Sequence, residues 1–326
     1  MAGENPIEHV VLIIKENHSF DNYFGSFPGV NGATFQRAPN PPPLDHDHKH
    51  EAWLVRKQKA PRQQFVEQDI PAYFAYARQF TLCDHYFTDV AGPSTPNHLM
   101  LIAADSPVVD NRPSGSPPLK LPSSLPIRLE KAKLTWGYYG SDGYPFNQIE
   151  NLQGRNEFKS EQFATAARAG KLPTVSWVYA PHYASEHPRG FNDTDPRVGN
   201  VTVGMQWTVD QVNAIIRGGL WPKAAIFITW DDWGGWFDHV DPPNIESWKA
   251  DGTQFRYGSR VGCLVLGPFA KRGYISKVLH SHVSLLKFCE TTFGLPPLNQ
   301  RDQKADDMYD CFDFRQQPSP PPKTVP

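Results

Sequence analysis

The 326-residue sequence predicts an α/β protein with a doubly wound, mostly parallel sheet and helices on both faces. Three observations support this prediction. Apolar runs rich in β-branched residues recur along the chain, and such runs are typical of strands buried on both faces of a parallel sheet. Segments with helical periodicity lie between these runs. Hydrophobic residues make up 39% of the chain and charged residues 20%, which excludes a disordered protein and leaves ample material for one large core.

The strand candidates are short apolar stretches without internal polar residues. Those at 9–14 and 224–230 are the strongest, because each is continuous and β-branched. The remaining candidates lie at 134–139, 174–179 and 261–266.

Three helices are predicted from their start and stop signals. Asp69 can cap a helix that runs through Phe80, with Pro71 tolerated in its first turn. Residues 208–217 place four apolar side chains on one stripe before two glycines end the pattern. Residues 283–293 repeat the pattern, and Gly294 ends it.

The chain reads as one domain over residues 1–314 with inserted loops. The 32 prolines are concentrated in part at 40–62 and 106–126, which we interpret as Pro-rich surface insertions. Residues 315–326 are also Pro-rich and are predicted to form a disordered tail.

The charge balance limits the classes of partner. Lys plus Arg number 32 and Asp plus Glu 34, so the net charge of −2 gives no bulk attraction to nucleic acid, and no nucleic-acid partner is expected. No apolar run is long enough for a spanning helix, although transient contact with a membrane surface stays open. The first residues show no signal-peptide pattern, so the chain as written is expected to be cytoplasmic, with its true location open.

The four cysteines, at 83, 263, 289 and 311, form no C-x-x-C pair. Most have apolar neighbours, which favours small buried side chains over a metal motif. A disulfide that involves Cys311 stays open.

Acidic and amide side chains follow the two strongest strand candidates. Glu16 and Asn17 come just after the first, and Asp231 and Asp232 directly after the second. Ligands bind at the carboxyl ends of parallel strands, and carboxylates crowded there repel one another unless a cation binds. The pattern predicts a site for Mg²⁺, Mn²⁺, Ca²⁺, Zn²⁺ or iron. The alternative is that these residues are strand-end caps and solvated turn residues.

Ser94 precedes a predicted helix N-terminus. Thr95 would be the cap and Pro96 the first helical residue, which places Ser94 just outside the helix. Free N–H groups there favour an anion, and a metal-activated hydroxyl could attack a bound phosphate. A plain capping role is the alternative.

Several of the twelve histidines flank these motifs. Histidine suits leaving-group protonation or phosphate contact near neutral pH, although a lone histidine is usually structural. Aromatic residues near the motifs could wall a pocket for a choline-like headgroup or belong to the core. The aromatic candidates are Tyr183, Trp230, Trp233 and Trp236.

Five segments together resemble the bacterial phosphoesterase family of phospholipases C and acid phosphatases, whose core is similar to alkaline phosphatases. The resemblance covers residues from about 7 to 294. The matching segments are I-E-H-V-V with E-N-H-S-F-D-N-Y-F-G at 7–25, D-H-D-H at 45–48, G-P-S-T-P-N at 92–97, E-H-P at 186–188 and W-D-D-W-G-G-W-F-D-H-V at 230–240.

The resemblance implies a metal-dependent hydrolase of phosphoric esters that acts through a phosphoserine. The implied metal ligands are Glu16, Asn17, Ser94, Asp231 and Asp232, with Ser94 also the nucleophile. The implied phosphate or acid–base residues are His48 and His187, with His239 and His282 as weaker candidates. This chain has His98 where the family often has Arg, and it is shorter than many members, which carry further domains and an export signal.

Motif residues do not separate a phospholipase C-like diesterase from an acid phosphatase that cleaves phosphomonoesters. The expected substrate is a small phosphoester or a phospholipid headgroup. A catalytically silent metal or phosphate-binding module is a rival interpretation. A sulfatase or phosphonate hydrolase is a further one, although no Cys stands in the turn at 92–97.

Overall fold

A computed structural model of the chain describes residues 5–243, 248–250, 253–255 and 257–323. The ends of the predicted domain and tail, residues 1–4 and 324–326, lie outside the described residues.

The core is an eight-stranded sheet with the order β13-β4-β12-β9-β1-β8-β6-β7. Among these strands only β12 runs against its neighbours, since it pairs antiparallel with both β9 and β4. The described strands are β1 His9–Lys15, β2 Gln36–Arg37, β3 Gln63–Gln64, β4 Thr81–Cys83, β5 Tyr86–Phe87, β6 Trp136–Tyr139, β7 Glu157–Phe158, β8 Val175–Tyr179, β9 Ala224–Trp230, β10 Trp248–Ala250, β11 Thr253–Phe255, β12 Cys263–Leu266, β13 Tyr274–Ser276 and β14 His280–Ser281.

The helices form two groups, in which α7 and α4 contact α8, and α5 and α10 contact α9. Because β1 and β9 are buried along nearly their whole length, helices and loops must cover both faces of the sheet. The described α-helices are α1 Phe20–Phe24, α2 His50–Leu54, α3 Arg56–Lys59, α4 Pro71–Gln79, α5 Ser94–Ala103, α6 Leu125–Lys131, α7 Ser160–Arg168, α8 Val201–Arg217, α9 His282–Phe293 and α10 Gln300–Lys304.

The two strongest strand predictions are adjacent in the sheet. β1 and β9 pair in parallel over their full lengths, with Ile14 opposite Thr229 and Lys15 opposite Trp230. The residues that follow, Glu16 and Asp231, therefore leave the same edge of the sheet side by side. This register positions the site.

The helix predictions hold with shifted ends. α8 begins at Val201, before the predicted 208, because the side chain of Asn200 accepts hydrogen bonds from the backbone N–H groups of Thr202 and Val203. α4 is capped at Ile70 and not at Asp69. The Asp69 carboxylate instead accepts from the backbone of Val66 and from Arg37.

The Pro-rich segments are more structured than predicted. The insertion at 40–62 contains α2 and α3, and the end of the insertion at 106–126 enters α6. The predicted disordered tail differs most, because residues 315–323 lie against the body of the protein. The indole of Trp221 donates to the backbone oxygen of Ser319, and Arg272 donates to its hydroxyl. These contacts hold the segment around Ser319 in place, although its Pro-rich composition predicts disorder.

All four cysteines are buried free thiols, as the apolar neighbours of most of them predict. In the described part of the chain, no helix combines the length and hydropathy that a bilayer crossing requires.

Candidate active site

The acidic residues after β1 and β9 meet at one edge of the sheet. Asp231 and Asp232 are fully buried, and the Glu16 side chain is 20% exposed. The backbone N–H of Asn17 donates to Asp231 Oδ1 at 3.1 Å, which ties the two strand ends together. The structure thus brings together the four residues that the sequence predicts at this edge.

Ser94 joins this group from a third element. Its hydroxyl donates to Asp232 Oδ2 at 3.0 Å, and its side chain is almost buried. Ser94 is the first residue of α5, with Pro93 as the N-cap, so the prediction that Thr95 caps the helix and leaves Ser94 outside it was wrong. Pro96 still lies in the first turn, where its missing N–H would have no partner within the helix.

Two tight turns hold the strand ends in contact. Asn17 adopts a left-handed backbone with φ of 64°, which Asn tolerates better than most residues. Gly234, with φ of 57°, packs so closely that a Cβ atom there would lie 2.0 Å from the Asn17 carbonyl oxygen. The same glycine donates its N–H to Asp232 Oδ1 at 2.7 Å. Only glycine fits this position.

The donor atoms fit a divalent cation. The Asn17 amide fits this place in two orientations. In one, its nitrogen donates to Asp231 Oδ1 and Glu16 Oε2 and its oxygen accepts from His187 Nε2, all at 3.1 Å, so no cation is required. In the other, its oxygen faces the two carboxylates, which is the arrangement that a shared cation would stabilise. Asp231 Oδ2 is buried without a hydrogen-bond partner. Oxygen atoms that converge in this way are the usual ligands of a hard divalent ion.

The pKa values of Asp231, Asp232 and Glu16 are set by burial and by the nearness of like charges. Burial raises the pKa of Asp231 well above 3.8, and Asp232 and Glu16 raise it further. Burial also raises the pKa of Asp232 despite the nearby His48. Burial acts to raise the pKa of Glu16 as well, but hydrogen bonding and charge from His98, with charge from His187 and His48, lower it overall. A bound cation would relieve the repulsion in the same way.

His48 and His187 lie beside Asn17. The His48 Nε2 atom is 3.4 Å from the Asn17 amide and 4.0 Å from Asp232 Oδ2. Burial opposes protonation of His48, yet Asp232 and Asp45 raise its pKa above 6.5. His187 donates through Nδ1 to the Pro188 carbonyl, so its Nε2 is directed toward Asn17.

His282 and His239 occupy other positions. His282 Nε2 donates to the Asp231 backbone oxygen at 2.7 Å, and its Nδ1 accepts from Tyr86 at 3.0 Å. Burial lowers the pKa of His282 to about 4, so the ring is neutral and supports Asp231 from behind. His239 is exposed and bonds Asp21 through Nδ1 at 2.6 Å.

The sequence analysis assigned no role to His98 or Asp45, which the structure places in the site. His98 is fully buried, with Nε2 at 3.2 Å from Asp231 Oδ2 and 3.6 Å from Glu16 Oε1. Asp45 lies 3.7 Å from His48 Nδ1. The spacing of four between Ser94 and His98 could have indicated the first, because it places both on one face of a helix.

The aromatic candidates belong mainly to the core. Trp230, Trp233 and Trp236 are at most 2% exposed, and Tyr183 packs under the guanidinium of Arg197. A different aromatic set adjoins the site. A cavity of about 250 Å³ is lined in part by Glu16 and His187 and by three tyrosines, Tyr138, Tyr144 and Tyr179. Burial raises the pKa of all three, so they remain neutral.

A buried ion pair supports the site from below. Lys15, the last residue of β1, lies 3.3 Å from Glu186, and neither side chain is exposed. Glu186 also accepts from Tyr23, Tyr73 and the indole of Trp230. Its backbone φ of 77° turns the chain toward His187. The glutamate of the E-H-P segment is thus structural, and the histidine faces the site.

Comparison with known proteins identifies the class. The model of the Phosphoesterase family matches residues 7–47 and 44–296, and the chain belongs to this family.

Two relatives are phospholipases C. The chain is 26% identical to "Non-hemolytic phospholipase C" of Pseudomonas aeruginosa over 94% of its own length and 57% of that protein. It is 27% identical to "Phospholipase C B" of Mycobacterium tuberculosis over 96% of its length and 79% of that protein. The chain thus spans little more than half of the first relative.

A similar solved structure is that of a protein in the alkaline phosphatase superfamily from Vibrio parahaemolyticus, with a TM-score of 0.55 and 11% identity over 94% of this chain and 70% of that one. This likeness shows a shared fold and confirms the predicted α/β class with an alkaline-phosphatase-like core.

Proposed function

We propose that this chain is a metal-dependent hydrolase of phosphoric esters with Ser94 as its nucleophile. The observation that carries the proposal is the hydrogen bond from Ser94 to Asp232 Oδ2 at 3.0 Å, beside a group of buried oxygen ligands. Membership of the phosphoesterase family and the two phospholipase C relatives support the same reaction class.

The proposed metal ligands are Glu16, Asn17, Ser94, Asp231 and Asp232. A bound divalent ion would lower the pKa of the Ser94 hydroxyl and stabilise negative charge on the phosphoryl oxygens. Asp232 Oδ2 orients the hydroxyl and is the nearest acceptor for its proton.

The reaction that follows has two displacements. Ser94 Oγ forms a bond to phosphorus while the bond to the leaving alcohol breaks, and His48 Nε2 gives the alcohol its proton. The raised pKa of His48 keeps this proton available near neutral pH. Water then gives a proton to His48 and forms a bond to phosphorus while the bond to Ser94 Oγ breaks, and Ser94 takes its proton back from Asp232. His187, positioned by its contact with Pro188, binds the phosphate product.

The tyrosine-lined cavity is the proposed place for the headgroup, which stays bonded to phosphorus while the other alcohol leaves. Neutral phenol rings can bind a quaternary ammonium through their faces and a phosphate through their hydroxyls. This favours a phosphodiester with a choline-like headgroup, while a phosphomonoester is the second candidate substrate on the same residues.

A silent binding module is less well supported. That interpretation predicts intact acidic residues with a displaced Ser94, whereas Ser94 lies within hydrogen-bond distance of Asp232. Gly92–Asn97 contains no cysteine, which disfavours the modified-cysteine chemistry of sulfatases.

The test replaces the nucleophile. Ser94→Ala should reduce turnover of every phosphoester that the parent cleaves by about 10³-fold or more, because the covalent step is removed. The matched control is Ser106→Ala, which removes a buried hydroxyl that bonds the Val108 carbonyl after the same helix. Rates on 4-nitrophenyl phosphate and 4-nitrophenyl phosphorylcholine also separate a monoesterase from a diesterase.

Two outcomes contradict the proposal. Substantial activity in folded Ser94→Ala would remove the nucleophile assignment. A parent enzyme that binds divalent metal but turns over neither substrate, nor other phosphoesters, would favour the silent module.

A further inference from the structure

A second group of metal-ligating side chains lies on the other arm of the sheet. Cys83 ends β4, His280 begins β14, and Cys311 ends a 3₁₀ turn near the C-terminus. The two sulfur atoms are 3.7 Å apart, and Cys311 Sγ lies 3.9 Å from His280 Nε2. All three side chains are at most 1% exposed. None of them takes part in the proposed hydrolysis.

Asp310 supplies a fourth donor atom. Its Oδ1 lies 3.1 Å from His280 Nε2 and 3.4 Å from Cys311 Sγ. Together the four atoms span a compact volume formed from two strands and the C-terminal segment.

The spacing of these atoms matches a tetrahedral zinc site. With Zn–S bonds of about 2.3 Å and Zn–N and Zn–O bonds of about 2.0 Å, neighbouring ligands would lie about 3.8 Å (S to S), 3.5 Å (S to N or S to O) and 3.3 Å (N to O) apart. The four observed distances differ from these values by at most about 0.4 Å. A disulfide would require the sulfurs to approach to about 2.05 Å.

The surrounding side chains complete the arrangement. Asp306 Oδ1 lies 3.0 Å from His280 Nδ1, on the side of the ring opposite the sulfurs. Metal-bound histidines commonly have such a carboxylate on their other nitrogen, which fixes the ring orientation. Ser276 Oγ donates to Asp310 Oδ2 at 2.5 Å and also lies 3.0 Å from His280 Nε2, while Asp310 Oδ1 contacts His280 and Cys311.

We propose that Cys83, His280, Asp310 and Cys311 bind a thiophilic divalent metal ion of the zinc class. Two sulfur ligands favour zinc over Mg²⁺ or Ca²⁺, which prefer oxygen. The four ligands leave no open coordination position, which is typical of a structural site. Such an ion would join the C-terminal segment to the β4–β13 arm of the sheet. This site is independent of the metal proposed beside Ser94.

Cobalt substitution tests the site directly. The full chain, depleted of metal and refilled with Co²⁺, should show a thiolate-to-cobalt charge-transfer band in the near ultraviolet. The band should disappear in the double variant Cys83→Ser with Cys311→Ser and persist in Asp232→Asn, which alters only the other proposed site. Cys289→Ser is the control, because Cys289 is a buried free thiol on α9 outside the group.

Metal content and stability provide a second measurement. Elemental analysis of the chain purified without chelators should find one equivalent of zinc that is lost in the double variant, reduced in Asp310→Asn, which keeps both thiols, and retained in Asp232→Asn. The melting temperature should fall in both variants, while turnover per folded molecule stays within about twofold of the parent.

Three results would overturn the proposal. One is a cobalt-loaded parent without the charge-transfer band. Another is an intact protein mass two hydrogens below that of the reduced chain, with the difference removed by a reductant, because this would show a Cys83–Cys311 disulfide. The third is a metal-free parent with full stability, which leaves His280 simply paired with Asp306 and Asp310.

Discussion

His98 illustrates how one side chain can adjust a shared site. Its buried Nε2 lies 3.2 Å from Asp231 Oδ2 and 3.6 Å from Glu16 Oε1. A buried imidazole in this position is either an additional ligand or the group that fixes two ligands in place, and in both cases its loss weakens metal binding.

We therefore expect His98→Gln to raise the metal concentration required for half-maximal activity by about 10- to 100-fold. Metal titrations of phosphoesterase activity and calorimetric metal binding check this. His9→Gln is the control, because His9 begins β1 at the end opposite Glu16 and its ring bonds the Pro173 carbonyl. An unchanged metal dependence, with a merely lower melting temperature, would assign His98 a structural role.

At the scale of single residues, the sequence predicts site residues that directly follow strands better than site residues within a helix or an inserted loop. Glu16 and Asp231 are predictable because neighbouring parallel strands end at one edge. Whether His98 and Asp45 reach the site depends on how α5 and the insertion at 40–62 pack against the sheet. The local sequence pattern does not specify this packing. His239 shows that closeness in sequence does not ensure closeness in space. Its ring bonds Asp21, whereas Asp232, seven residues before it, bonds Ser94.

The turn after β9 is the element that joins the two strand ends. Gly234→Ala should destabilise the fold by about 3 kcal/mol or more, because it adds a clash with the Asn17 carbonyl to the cost of a positive φ. Gly219→Ala is the matched control, because Gly219 also has a positive φ, 72°, but has open space around the added carbon. It should lower the free energy of unfolding by only about 1–2 kcal/mol. Urea unfolding of both variants measures the difference.

Activity gives the turn experiment a second readout. Folded Gly234→Ala should lose turnover because Asn17 and Asp232 move apart, whereas Gly219→Ala should keep it. Equal destabilisation of the two variants would contradict the close packing inferred for Gly234.

Helix α9 contains a carboxyl group that makes stability depend on pH. Burial and then the neighbouring Asp302 raise the pKa of Glu290 to about 9. Between the ordinary pKa of 4.5 and about 9, the folded chain holds a proton that the unfolded chain releases. The contribution of Glu290 to stability is therefore present at acid pH and is lost as pH rises through this window.

Glu290→Gln, which is neutral at every pH, should stabilise the protein by roughly 1–3 kcal/mol near pH 8.5 and hardly change it near pH 5. Unfolding free energies at the two pH values check the sign. Glu161→Gln, an exposed substitution in the first turn of α7, is the control. A stabilisation that does not grow with pH would contradict the buried, protonated carboxyl.

Among the elements, apolar runs predict the strands well, because burial on both faces leaves little choice of residue. Helix starts are less predictable. α8 begins seven residues before the predicted start, with Asn200 as its cap, and α5 begins at Ser94 after an N-cap, Pro93, that makes no side-chain hydrogen bond.

For the whole molecule, the acidic edge implies that metal binding and folding are linked. Loading the metal-free enzyme at about 100 times the dissociation constant should raise its stability by about 2.7 kcal/mol. Thermal unfolding with and without added Mg²⁺, which the sulfur ligands Cys83 and Cys311 do not favour, measures this increment, and Asp232→Asn should lose most of it. An equal increment in parent and variant would show that the ion binds elsewhere.

The order of strands has a consequence for synthesis on the ribosome. β1 lies in the middle of the sheet, yet its partners are β8 and β9, whose residues begin at 175 and 224. At translation rates of about 5–20 residues per second, the nascent β1 waits roughly 10 to 30 seconds for its first partner. During that time an almost wholly apolar segment has no sheet to join. We expect the newborn chain to depend on chaperones, and its first hundred and seventy residues alone to aggregate.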